Sequence, residues 1–158
     1  MLPTITAIFA MLLAVAIQSA LPAWSWLGNM RWEFIPGIVA YAALAAKRPL
    51  AAVAWAGLAG LAQDALSAGP FGCFAAAYAL AALVLWWWRE LLDPDLPWVQ
   101  LLAGALVALI ASLAAIVVVG ASWVAVGRLF WLTLMGAVVT PVIFLAVDFV
   151  RLHWGETE

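Results

Sequence analysis

The sequence predicts an all-α fold: a polytopic membrane helix bundle of about six transmembrane helices. Three observations carry that expectation. Of the 158 residues, 70% are hydrophobic and 9% charged, and mean hydropathy is +1.18, far from the roughly 45–50% apolar and 25% charged mix of soluble domains. Apolar runs between Pro, Gly and charged residues approach or exceed the ~20 residues that a tilted helix needs to cross about 30 Å of hydrocarbon. These runs are apolar all round and rich in Ala and Leu, whereas membrane strands alternate polar and apolar residues over segments of about ten. Little length remains for a water-soluble domain, so residues 1–158 read as one integral membrane domain.

The spans fall at 3–21, 34–46, 50–66, 71–88, 98–119 and 128–150. The first ends in Ser19-Ala20-Leu21-Pro22-Ala23, which imitates a signal-peptide cleavage site, but no Lys or Arg precedes Arg31. Without a basic leader it reads as a retained helix. The second is too short to cross unless it starts within Arg31-Trp32-Glu33 or is buried by its neighbours, and five spans is the alternative count. The stretch Arg89-Glu-Leu-Leu-Asp-Pro-Asp-Leu-Pro97 separates the fourth and fifth, its two prolines and two aspartates stopping one helix and starting the next.

Lys and Arg set the orientation. With the N-terminus inside, Lys47, Arg48, Arg89 and Arg151 fall on the cytoplasmic side and Arg31 and Arg128 outside. Both termini are therefore expected on the cytoplasmic side. Most of the 11 Trp lie near span ends, Trp24, Trp26 and Trp32 around the first outer loop and Trp86, Trp87 and Trp88 before Arg89, as interfacial belts.

Polar residues inside the apolar runs are the candidate functional positions. Asp64 lies about 22 Å along a helix entering at Pro49. An ionised Asp costs roughly 2.5–3.5 kcal/mol at the bilayer centre and less toward the interface, so it should face protein or a wet cavity, or be neutral. Gly57, Gly60 and Asp64 share a helix face whose small residues let another backbone come close. Ser67, Gly69, Pro70 and Gly72 then form a tight reversal. A carboxylate at a helix C-terminus opposes the macrodipole, so Asp64 is expected to look across the turn, toward the amides at Phe71 to Cys73 or toward Arg31 or Arg128. Gln63-Asp64 reads first as a clasp between the third and fourth helices, and otherwise as a proton or substrate site or a partner-docking point.

Gln18 reads as a packing hydrogen bond. Ala75, Ala79 and Ala82, and Gly104, Ala108, Ala111 and Ala115, form small-residue stripes for close helix packing. Asp148 and Arg151, at i and i+3, suit a local ion pair or a cytoplasmic partner, and His153 an interfacial position. The net charge of −2 excludes a basic nucleic-acid footprint. Cys73 is the only cysteine, so there is neither an internal disulfide nor a multi-cysteine metal site. HExxH, GxSxG, P-loop and paired intramembrane carboxylates are all missing, so the chain reads as non-enzymatic, with no cofactor and no metal. Polar residues are too sparse to line a pore in a monomer.

The stretch from Ile35-Pro36 through Lys47-Arg48-Pro49, Gly57-Leu58, Gln63-Asp64 and Ser67-Ala-Gly-Pro-Phe-Gly72 to Ala77-Tyr78 resembles the bacterial rod shape-determining protein MreD family. The family's G-L-x-x-D-x-x-S-x-x-x-x-G signature maps onto Gly60, Leu61, Asp64, Ser67 and Gly72. Arg31-Trp32-Glu33 before the second span departs from the family's plainer start. The resemblance implies a non-enzymatic scaffold of the cell-elongation machinery in the inner membrane. It would bind the single-span protein MreC, and through it support the RodA glycosyltransferase, its transpeptidase partner and MreB filaments in lateral peptidoglycan synthesis and rod shape. Membrane lipids complete the partner set. Partner-facing positions would be Trp24, Trp26, Arg31, Trp32, Arg128, Asp148 and Arg151.

Size and the six-helix plan are also similar to the substrate-binding component of energy-coupling-factor transporters. In that alternative, Trp24, Trp26, Trp32, Asp64 and Arg128 would line an outer pocket for a vitamin or small solute.

Overall fold

The protein, seen in a computed structural model, is described for residues 15–21, 32–67, 70–119 and 123–154, with backbone only at 119, 123–126, 128 and 150–154. Most of the expected first span lies outside these residues, as do Trp24, Trp26, Arg31 and Gly69. All regular structure among the described residues is helical: α1 (residues 15–20), α2 (Ile35–Ala45), α3 (Pro49–Leu66), α4 (Cys73–Trp88), α5 (Pro97–Val119) and α6 (Trp123–Trp154).

Proline and glycine punctuate these boundaries for physical reasons. Pro36 sits in the first turn of α2 and Pro49 in that of α3, where a missing N–H costs nothing. Arg48, ahead of Pro49, is extended as its neighbour's ring requires. Between α4 and α5, Asp93 Oδ1 accepts the Asp95 amide at 3.1 Å, and the Gln100 side chain donates to the Pro94 carbonyl at 2.8 Å, which fixes the start of α5.

Three segments are long and apolar enough to cross a membrane: Pro49–Leu66, Pro97–Val118 and Leu129–Phe149. The expectation of about six spans is thus met only in part, because α2 and α4, of 11 and 16 residues, are apolar but shorter. The second span does not gain length from Arg31-Trp32-Glu33. Residues 32–34 are not helical, and α2 is enclosed instead, packed against α3, α4, α5 and α6 with seven of its 11 residues buried.

Much of the core is built from alanine. Ala40, Ala43, Ala52, Ala56, Ala81 and Ala82 are fully buried, whereas Leu50, Phe71, Leu91, Val117 and Leu145 are each more than 70% exposed. Water would drive the larger apolar groups inward. Lipid exerts no such pull, and close backbone approach is what holds helices together in it. The α5–α6 crossing shows the principle: a Cβ on Gly104 would meet Thr140 Oγ1 and lie 2.5 Å from the Gly136 carbonyl, and one on Gly136 would lie 2.5 Å from Ala108 Cβ. Thr140, fully buried, turns its hydroxyl back onto the Gly136 carbonyl at 2.6 Å. Pro141 follows inside α6, where it cannot donate the next helical hydrogen bond.

At the opposite end of α4 from Cys73, the indole of Trp86 donates to the Ala46 carbonyl at 3.2 Å, and Arg89 Nη1 donates to the same oxygen while its guanidinium stacks over the Trp86 ring. Together they close the C-terminus of α2 with a cation, the sign its dipole favours. Trp86 is therefore a packing residue, unlike Trp87 and Trp88, which are exposed.

Candidate functional site at the α3–α4 junction

Gly72 is the residue before the first turn of α4, and it adopts φ +95°, a left-handed conformation that strains any side chain. A helix start is ordinarily capped by the oxygen of that residue's own side chain. Glycine has none, and Asp64 supplies the oxygens from α3. Its Oδ2 accepts the Gly72 amide at 2.9 Å and the Ala75 amide at 3.2 Å, and its Oδ1 accepts the Phe74 amide at 3.0 Å. The carboxyl, 3% exposed, thus serves three of the free N–H groups that open α4. Of the expected amide window, Phe71 to Cys73, Gly72 is a donor, and the other two donors, Phe74 and Ala75, lie one and two residues past it, because Gly72 is itself the cap position and a cap serves the amides two and three residues beyond it.

Gly60 makes this reach possible. A Cβ there would collide with Ala75 Cα and lie 2.5 Å from the Ala75 amide nitrogen, so α4 begins directly against α3 at this point. Gly57 does not take part, because a Cβ there would meet nothing within 4 Å. The buried stripe of α3 runs instead through Ala52, Ala56, Ala59, Gly60, Gln63 and Asp64. Ser67 ends α3: its amide reaches the Gln63 and Asp64 carbonyls, and its hydroxyl the Asp64 carbonyl at 3.2 Å. Pro70 is exposed, and its carbonyl accepts the Cys73 amide.

Gln63 departs from the clasp expected of the Gln63-Asp64 pair. Consecutive helical residues point about 100° apart, and Gln63 Oε1 accepts from Gln18 Nε2 of α1 at 3.0 Å, a buried contact. Gln18 Oε1 in turn accepts the Phe34 amide ahead of α2 at 3.2 Å. Two adjacent side chains therefore tie α3 to three other segments. Tyr78, one turn below Phe74, is fully buried beneath this layer, and no pattern in the sequence singles it out as polar.

Trp32 is half-buried and the side chains of Arg128 and Arg151 lie outside the described set. Asp148, expected to pair with Arg151, accepts a hydrogen bond from the Tyr41 hydroxyl at 3.3 Å, and Tyr41 also meets Phe144 edge-on at 4.9 Å, which joins α2 to α6. Among the described residues no group of three or more His, Cys, Asp or Glu is placed to hold a metal ion.

Fold and site together define a small all-helical protein with helices of membrane-crossing length and a buried carboxylate that caps one helix from another. No family model matches the chain, and no curated protein or solved structure matches it either.

Proposed function

We propose that this protein is a non-enzymatic membrane scaffold of the MreD type, which binds MreC and supports lateral cell-wall synthesis by RodA, its transpeptidase partner and MreB. The observation that carries this reading is that four positions of the G-L-x-x-D-x-x-S-x-x-x-x-G signature have distinct physical tasks at one junction. Gly60 allows contact, Asp64 caps, Ser67 ends α3 and Gly72 takes the left-handed turn. Such a motif fixes the geometry of a helix pair without offering a reactive group, which suits a part that holds other membrane helices in register. On this reading the chain lies in the bacterial inner membrane with both termini cytoplasmic, the Asp64 end of the bundle outside and the Arg89 end inside. MreC's single helix would pack on the outward surface of the bundle, and Trp24, Trp26, Arg31 and Trp32 would meet its extracytoplasmic part.

The test is purification of the tagged protein from native membranes, with co-purifying proteins and small molecules identified by mass spectrometry. Recovery of MreC with cell-wall synthases is the expected outcome. Recovery of an ATPase pair and a bound vitamin would reject the scaffold and assign the chain to transport.

A further inference from the structure

Tyr78 is fully buried, yet its hydroxyl has no hydrogen-bond partner among the described residues. Its position makes this notable. A helical side chain leans toward the N-terminus of its helix, so the Tyr78 ring leans toward the turn whose amides bind Asp64, and it lies against Phe74 with ring centroids 5.9 Å apart. Asp64 has capacity left: a carboxylate offers about four acceptor positions, and three amides occupy Asp64, only one of them on Oδ1.

We infer that Tyr78 and the Oδ1 side of Asp64 hold one small neutral hydroxyl-class ligand, which accepts from the Tyr78 hydroxyl and donates to a carboxylate. A buried hydroxyl left without a partner is costly, and a water or an alcohol is the smallest group that both accepts and donates. An ammonium could donate but not accept. The same chemistry can come from solvent or from a lipid headgroup, and glycerol hydroxyls are the lipid form. The site goes beyond the scaffold reading and does not depend on it.

The sign of one substitution tests the site. With a ligand bound, Tyr78→Phe leaves that ligand short of a partner, and the full-length protein in detergent should melt lower by roughly 2–4 °C. An unchanged or higher melting temperature would mean the hydroxyl is an orphan whose removal helps, and would overturn the inference. A high-resolution structure of the unmodified chain in a lipid phase gives an independent reading. Oxygen-sized density within hydrogen-bond distance of Tyr78 Oη supports solvent as the source. An adduct in native mass spectrometry after addition of phosphatidylglycerol, lost in Tyr78→Phe, supports the lipid. A direct bond from Tyr78 Oη to the Asp64 carboxylate, or stabilisation by sodium over choline that Tyr78→Phe removes, would overturn it.

Discussion

Replacing Asp64 by Asn keeps one oxygen and sets an amide nitrogen where the other stood, so at least one N–H of α4 then faces a donor. The expected loss is about 1–3 kcal/mol, and Asp64→Leu, which removes both oxygens and so all three hydrogen bonds, should cost more. Thermal unfolding in a single detergent would measure both, and an Asp64→Leu protein as stable as the parent would contradict the capping role. Gly60 and Gly57 offer a matched pair. Gly60→Ala drives a methyl into the Ala75 backbone and should destabilise by about 1–3 kcal/mol. Gly57→Ala meets open space and should gain up to about 1 kcal/mol from helix propensity. A lone acid above a Gly, followed by a Gly-Pro turn, made the kind of partner legible from sequence. It did not separate the two glycines, because both lie near the same side of α3 and only the crossing point of α4 distinguishes them.

Between elements, the hydrogen bond from Gln18 to Gln63 is the contact that sequence reading could not place, since hydropathy says nothing of which helix lies beside which. Gln63→Leu strands a buried donor on Gln18 and should cost about 1–3 kcal/mol, whereas the double change of Gln18 and Gln63 to Leu should cost less than the sum of the two single changes. Additive losses in a double-mutant cycle would show that the two amides act independently. The element boundaries themselves were legible: Pro36, Pro49 and Pro97 open α2, α3 and α5, because in a first turn the missing N–H has no helical partner to lose. Trp86 was not, for in a run of three tryptophans only the helix phase tells the one that reaches the Ala46 carbonyl from the two that face outward.

For the molecule as a whole, alanines make up much of the interior and many large apolar side chains face outward, so substitutions should follow position rather than hydrophobicity. Ala40→Leu, in the centre of α2, should destabilise by about 1–3 kcal/mol through overpacking. Leu80→Ala, at a position 56% exposed, should fall within about 0.5 kcal/mol of the parent. Equal effects in melting experiments would argue against the lipid-facing arrangement. Composition made the helical class plain, but it could not reveal that the 11-residue α2 packs against α3, α4, α5 and α6, since a helix facing lipid and a helix facing other helices are equally apolar. That placement bears on how the protein is made. The 11 residues of α2 rise only about 16 Å, too little to anchor the segment across the hydrocarbon as it leaves the ribosome. Thr140, Ile143 and Phe144, which later cover Gly37 and Tyr41, arrive roughly a hundred residues afterwards. The order of synthesis therefore runs against the order of enclosure, and α2 finds its final surroundings only once α6 has been delivered.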